Sequence, residues 1–315
     1  MKKEMKRLFA LITVALMSAG IAVAQDFNAA VDKFNSAAVA FQNENKAEAL
    51  SLFKEALPLF EACGEEGAEM VAKCKEQIPV ITLSIAKDLI NNKEYDKAIE
   101  TLKEAETIAK TYGAEDVVKE AGELVPNALF RKAETLRQAK DFAGAVAAFK
   151  DVIALEPKNG QAYLLLGQSL MNAGQTNEAV EALKNAAANG KEEMANKLIG
   201  NIYLKEGQAL LKGGKALEAA ETIQNALNYL ENASAYKLLA SAWMKAGKTA
   251  NAINAYKKYV EVSPNAADVP DILFTIAATA HKAGDKATAI EYYNKLTGNA
   301  KYGEQAKTLL ASLKK

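Results

Sequence analysis

Residues that usually carry chemistry are scarce in this chain. It has two cysteines, Cys63 and Cys74, one histidine, His281, and one tryptophan, Trp243, in 315 residues. A protein zinc site ordinarily needs two or more His or Cys ligands close together, which a lone histidine does not supply. Charge of one sign is also lacking, since 39 basic residues balance 39 acidic ones. That leaves no basic excess for nucleic acid and no polybasic tail for a lipid surface. Long apolar runs are absent except one near the start, and prolines number only six. Carboxylates such as Glu65, Glu66 and Glu69 are interleaved with lysine, the pattern of a solvated helix face.

That one apolar run, Leu8 to Ala24, follows the basic segment Lys2-Lys3-Glu4-Met5-Lys6-Arg7 and ends in Ala22-Val23-Ala24, a small-x-small cleavage signal. The pattern predicts a secretory signal peptide over residues 1–24, cut after Ala24, and a periplasmic or secreted mature protein. No cysteine follows the cut to carry a lipid anchor. Without those residues the net charge is about −3. No stretch of the mature chain is long enough for stable membrane insertion.

Small residues recur in pairs twelve apart: Ala37/Ala49, Ala86/Ala98, Ala133/Ala145, Gly167/Ala179, Gly207/Ala219, Ala240/Ala252 and Ala277/Ala289. Four residues after each second member stands a large apolar side chain: Phe53, Leu102, Phe149, Leu183, Ile223, Tyr256 or Tyr293. Within one unit, Tyr163, Leu166, Gly167 and Leu170 follow helical spacing, Ala173-Gly174-Gln175 interrupts it, and Ala179, Leu183 and Ala186 resume it. Each unit therefore reads as two amphipathic helices joined by a tight turn. Gly174, Gly214, Gly247 and Gly284 share a phase suited to a left-handed residue after a helix. The small pair marks close helix approach, and the large residue fills the space between neighbouring hairpins. A single hairpin cannot bury its stripe, so the units must stack.

The second members of the pairs step by 49, 47, 34, 40, 33 and 37 residues. With Pro157 and Pro264 late in the unit, and Tyr163, Tyr203 and Tyr236 near the start of the first helix, the chain resembles the tetratricopeptide repeat family over most of residues 27–300. The resemblance implies an all-α fold, a tetratricopeptide-type α-solenoid of about seven helix hairpins with a C-terminal capping helix. The first unit matches least, with Lys33 and Ser36 where apolar residues belong. The chain divides into the signal (1–24), N-terminal helical repeats with longer insertions (25–126), tetratricopeptide repeats (127–300) and a capping helix (301–315). In the cap, Tyr302, Ala306, Leu309, Leu310 and Leu313 share one face. The two long steps hold matched insertions ending in Ile78-Pro79 and Val125-Pro126. Either a short helix ends before each proline or one long helix bends there; Pro270, in the same phase, favours helix starts.

The resemblance also says where a partner would dock, because in that family the first helix of each unit lines the concave surface. Counted from seven residues before each small first residue, the fifth positions are Phe130, Leu164, Leu204, Lys237 and Phe274. The ninth are Glu134, Gln168, Gln208, Ser241 and Ala278. The twelfth are Arg137, Met171, Leu211, Met244 and His281, and the thirteenth are Gln138, Asn172, Lys212, Lys245 and Lys282. One stripe is apolar and the other turns basic toward the C-terminus, which suits an amphipathic or acidic segment of another protein. The competing reading is that the fifth-position Phe and Leu pack on the next helix and meet no ligand. A lysine–asparagine carboxylate clamp is not formed, since Lys237 is followed by Ser241 at its ninth position.

The remaining candidates are weak. Gly247-Lys248-Thr249 imitates the end of a phosphate loop, but Ala242 stands where that loop needs glycine. Cys63 and Cys74 leave two readings open, a disulfide or two free thiols between helices; the helical rise between them strains the limit for bridging. His281 and the cysteines lie at opposite ends of a stacked array, so no Cys–His pair is expected. The sequence thus predicts a non-enzymatic scaffold or adaptor of the cell envelope, without cofactor or metal. Its partner would be a protein rather than nucleic acid. The rival is an exported peptide- or glycan-binding protein; a glycan site wants exposed aromatic platforms, and Trp243 falls at a hairpin-packing position.

Overall fold

The computed structural model describes residues 21–313, with side chains from Asp26 onward. Most of the expected signal therefore lies outside the described residues. The described residues are helical and contain no strand. They form two compact units, one through Lys158 and one from Asn159.

The first unit holds three hairpins: α1 (Ile21–Gln42) with α2 (Lys46–Ala62), α3 (Ala68–Asn91) with α4 (Tyr95–Tyr112), and α5 (Glu115–Gln138) with α6 (Phe142–Leu155). The second holds four: α7 (Gly160–Asn172) with α8 (Thr176–Ala186), α9 (Glu192–Lys212) with α10 (Ala216–Leu227), α11 (Ala233–Lys245) with α12 (Thr249–Val262), and α13 (Val269–Lys282) with α14 (Lys286–Asn294). Helix α15 (Gly303–Leu313) closes it. Within each unit every helix packs on the next, which is the stacking that an amphipathic hairpin requires.

All fourteen small-pair residues are buried. The space they leave is filled within the hairpin: a Cβ on Gly167 would stand 2.7 Å from Leu183 Cγ, and one on Gly207 would stand 2.5 Å from Ile223 Cγ1. Leu183 and Ile223, sixteen positions on, thus fill the hollow over their own hairpin's small residue, and Tyr256 also packs against the cluster of the next hairpin. Phe53, Leu102, Phe149, Leu183, Ile223 and Tyr293 are almost fully buried, while Tyr256 is only half-buried.

The turn is identical in all seven hairpins. Gly174, Gly214, Gly247 and Gly284 take φ between +72° and +79°, and Glu44, Lys93 and Lys140 occupy the same position at +63° to +64°. The residue after each donates its N–H five residues back, as in Asn45 to Ala40 O, Asp141 to Leu136 O and Asp285 to Ala280 O, each 2.9 Å. This is the Schellman closure, which satisfies a helix-end carbonyl with a left-handed residue.

The prolines correct the expectation of helix starts. Pro79 and Pro126 lie inside the 24-residue helices α3 and α5, and only Pro270 sits in a first turn. The helices run through because each half has its own stripe to bury. Met70 and Cys74 of α3 join the cluster around Phe53 and Phe60. Val117 and Ala121 of α5 join that around Ala105 and Ala109. The insertions are N-terminal extensions of first helices that cover the preceding second helix.

The cap forms as expected. Ala306, Leu310 and Leu313 are buried against the last hairpin, and Tyr302 stacks on Phe274 at 4.6 Å. The final two lysines lie outside the described residues.

Candidate functional site

The fifth-position row belongs to packing. Leu164 is 2% exposed. Phe130 sits edge-on to Phe149 at 5.7 Å, and Phe274 lies between Tyr293 and Tyr302. Leu204 packs in the cluster of α10 and α11. Lys237 is not a free cation: its Nζ lies 2.5 Å from Asp268, which also accepts from the Tyr259 hydroxyl. The Lys237 hydrogen bond, backed by Tyr259, holds the Asp268 carboxyl below its ordinary value, and Asp268 in turn raises Lys237. Phe130, Lys237 and Phe274 are thus engaged by side chains of other helices, Leu164 is buried, and Leu204 is half-buried.

The other rows split between the units. In the first unit Glu134 and Arg137 are half-buried, and the Arg137 Nε is buried without a hydrogen-bond partner among the described residues. In the second, Met244 is 40% exposed, and Gln208, Asn172, Lys212, Lys245 and Lys282 are exposed. Gln168, Met171 and Leu211 are half-buried. Asn172 donates to Gln168 O at 2.9 Å. His281 is half-buried with its ring edge-on to Tyr293 at 6.2 Å. Lys212, Lys245 and Lys282 are the last residues of α9, α11 and α13. There a cation complements the negative end of the helix dipole. None of the three makes an ion pair with another described residue. Their charge is available to a carboxylate from outside.

The two cysteines are free thiols in this structure, the second of the two readings the sequence leaves open. Cys63 caps the end of α2 and donates to Leu59 O at 3.2 Å. Cys74 lies well inside α3, past the short 3-10 turn Gly64–Gly67, and is fully buried. Burial, with the nearby Glu61 charge, pushes its thiol up to about 12. Among the described residues no three His, Cys, Asp or Glu side chains stand together as metal ligands.

The sequence pattern did not single out the clefts of the second unit. One of about 770 Å³ is bounded by Glu192, Glu193, Asn196 and Tyr229. Another, about 320 Å³, opens between α10 and α12 over α11, with Trp243 and Tyr236 in its lining. Trp243 is half-buried rather than sealed in the core. The signal was spread over Gln224, Asn251 and Asn254, too far apart in sequence to form a motif.

Residues 136–202 and 204–268 each match a family model described as tetratricopeptide repeat. No curated protein matches the chain. Among solved structures, a MamA protein is 24% identical, covering 57% of this chain and 94% of that one, with a TM-score of 0.32. PilW, a type IV pilus biogenesis factor, is 21% identical over 74% and 99%, at 0.29. The C-terminal part of a TPR repeat-containing protein from Cytophaga hutchinsonii is 18% identical over 87% and 98%, at 0.33. These scores bear on no functional question.

Proposed function

This chain belongs to the tetratricopeptide repeat family, a protein-interaction fold, and from that premise we propose that it is an exported, non-enzymatic scaffold or adaptor of the cell envelope. Its partner is an acidic or amphipathic segment that docks on the first-helix face of the second unit. The observation that carries this reading is the line of Lys212, Lys245 and Lys282, three exposed cations at equivalent positions of successive repeats with no counter-ion among the described residues. Met244 and half-buried Met171 add adaptable apolar surface beside it. The fifth-position side chains, being packed, shape that face without touching the ligand.

Crosslinking in the native envelope, followed by capture, identifies the partner. The triple variant Lys212→Glu, Lys245→Glu and Lys282→Glu is expected to lower capture by about tenfold or more at low salt, with the melting temperature unchanged. Unchanged capture would remove the basic stripe from consideration. Export rests on the N-terminal pattern alone and is tested separately. Terminal sequencing of the native protein is expected to begin at Gln25, and a retained Met1 would overturn it.

A further inference from the structure

We infer that the cleft over Trp243 is a binding site for a neutral pyranose sugar, separate from the protein-docking face. Its walls are the second helices α10 and α12 and its floor is α11. Trp243 and Tyr236 supply the half-buried aromatic surface on which the C–H face of a sugar ring stacks. Three exposed carboxamides converge on that surface, Gln224 from one wall and Asn251 and Asn254 from the other. None of the three makes a side-chain hydrogen bond with another described residue. Each offers two donors and an acceptor, the complement of adjacent ring hydroxyls.

Charge and size narrow the ligand. The only ion in the lining is Lys258, and its ammonium is held by Glu261 at 2.6 Å. An anionic ligand would share that ammonium with Glu261, while a neutral one needs no counter-ion. A cleft of about 320 Å³ lies at the small end of ligand pockets and suits one or two sugar rings. Carboxamides from both walls meet over one aromatic patch, which suits a compact polyol better than an extended main chain. Tyr236 and Trp243 also lie on a different face of α11 from Lys237 and Met244, one residue or about 100° away in each case. Failure of the docking proposal therefore leaves this one standing, and the reverse.

Trp243 is the sole tryptophan, so intrinsic fluorescence of the full chain reports this cleft directly. The probes are cellotetraose, maltotetraose and tetra-N-acetylchitotetraose, with tetraglycine as the competing main-chain ligand. At least one oligosaccharide is expected to give a saturable change with a Kd of about 1 mM or tighter. The double variant Asn251→Ala and Asn254→Ala is expected to weaken it about tenfold or more, with an unchanged circular dichroism spectrum. The Lys212/Lys245/Lys282 reversal is expected to leave it intact. The proposal is overturned by no saturable change with any of the three sugars, by an undiminished change in the double variant, or by saturation with tetraglycine alone.

Discussion

At the residue scale the seven turns form a natural substitution series. A left-handed backbone costs an L-residue roughly 1–2 kcal/mol, and glycine avoids that cost while losing some unfolded-state entropy. Four turns carry glycine and three carry Glu44, Lys93 and Lys140 at nearly the same φ. Lys93→Gly and Lys140→Gly are each expected to raise stability by about 0.5–1 kcal/mol, read as a shift in the urea midpoint. Gly247→Lys should lower it comparably. A second residue-scale prediction concerns the thiols. Burial raises both, Cys74 to about 12, so at pH 8 almost no thiolate is present. Native protein should resist iodoacetamide at both sites and take up two labels once unfolded. A mass two units lighter without reductant, with no label taken up, would instead reveal the bridge.

At the element scale, helix ends do the tying. Helix α13 begins beside Asp268 and carries Asp271 in its first turn. Asp268 meets Lys237 and Tyr259, and Asp271 meets Lys301 and Tyr302, so one helix start joins the hairpin before it to the cap after it. Both carboxyls are held below their ordinary value of 3.8, by the lysine hydrogen bond first and the tyrosine second. The sign follows from that depression. The stabilisation is fully present above pH 3.8 and is lost as the pH falls through the lower folded values. Asp268→Asn is therefore expected to lower the melting temperature at pH 7, and the gap from wild type should narrow as the pH falls below 3.8. A gap independent of pH would assign the effect to packing. These bonds were not legible in the sequence: Lys237 and Asp268 are 31 residues apart, about one repeat, and meet only because hairpins stack. The same holds for Lys46 with Asp88 and Lys54 with Glu104, which pattern alone assigns to a solvated face.

At the scale of the whole molecule, the repeat limits where function can reside. Small residues and their large fillers are committed to packing, and the left-handed turns to closing helices. Only helix faces turned away from neighbours remain for ligands. The basic stripe uses the first-helix face, and the Trp243 cleft uses the space between successive second helices. The stripe was legible because it repeats. The cleft was not, because it arises once, where Tyr236 and Trp243 meet three carboxamides contributed by two other helices.

The sequence by itself determined the hairpins, their number, the turns and the cap. Those features depend on periods of about 3.6 and 34 residues and on the size of single side chains, all of which are local properties of the chain. Tertiary structure alone decided that α3 and α5 run through their prolines, that Leu164 and Phe274 face helices instead of ligand, and that Trp243 keeps an open side. Each depends on which surface a neighbour covers, and coverage is settled only when the repeats stack.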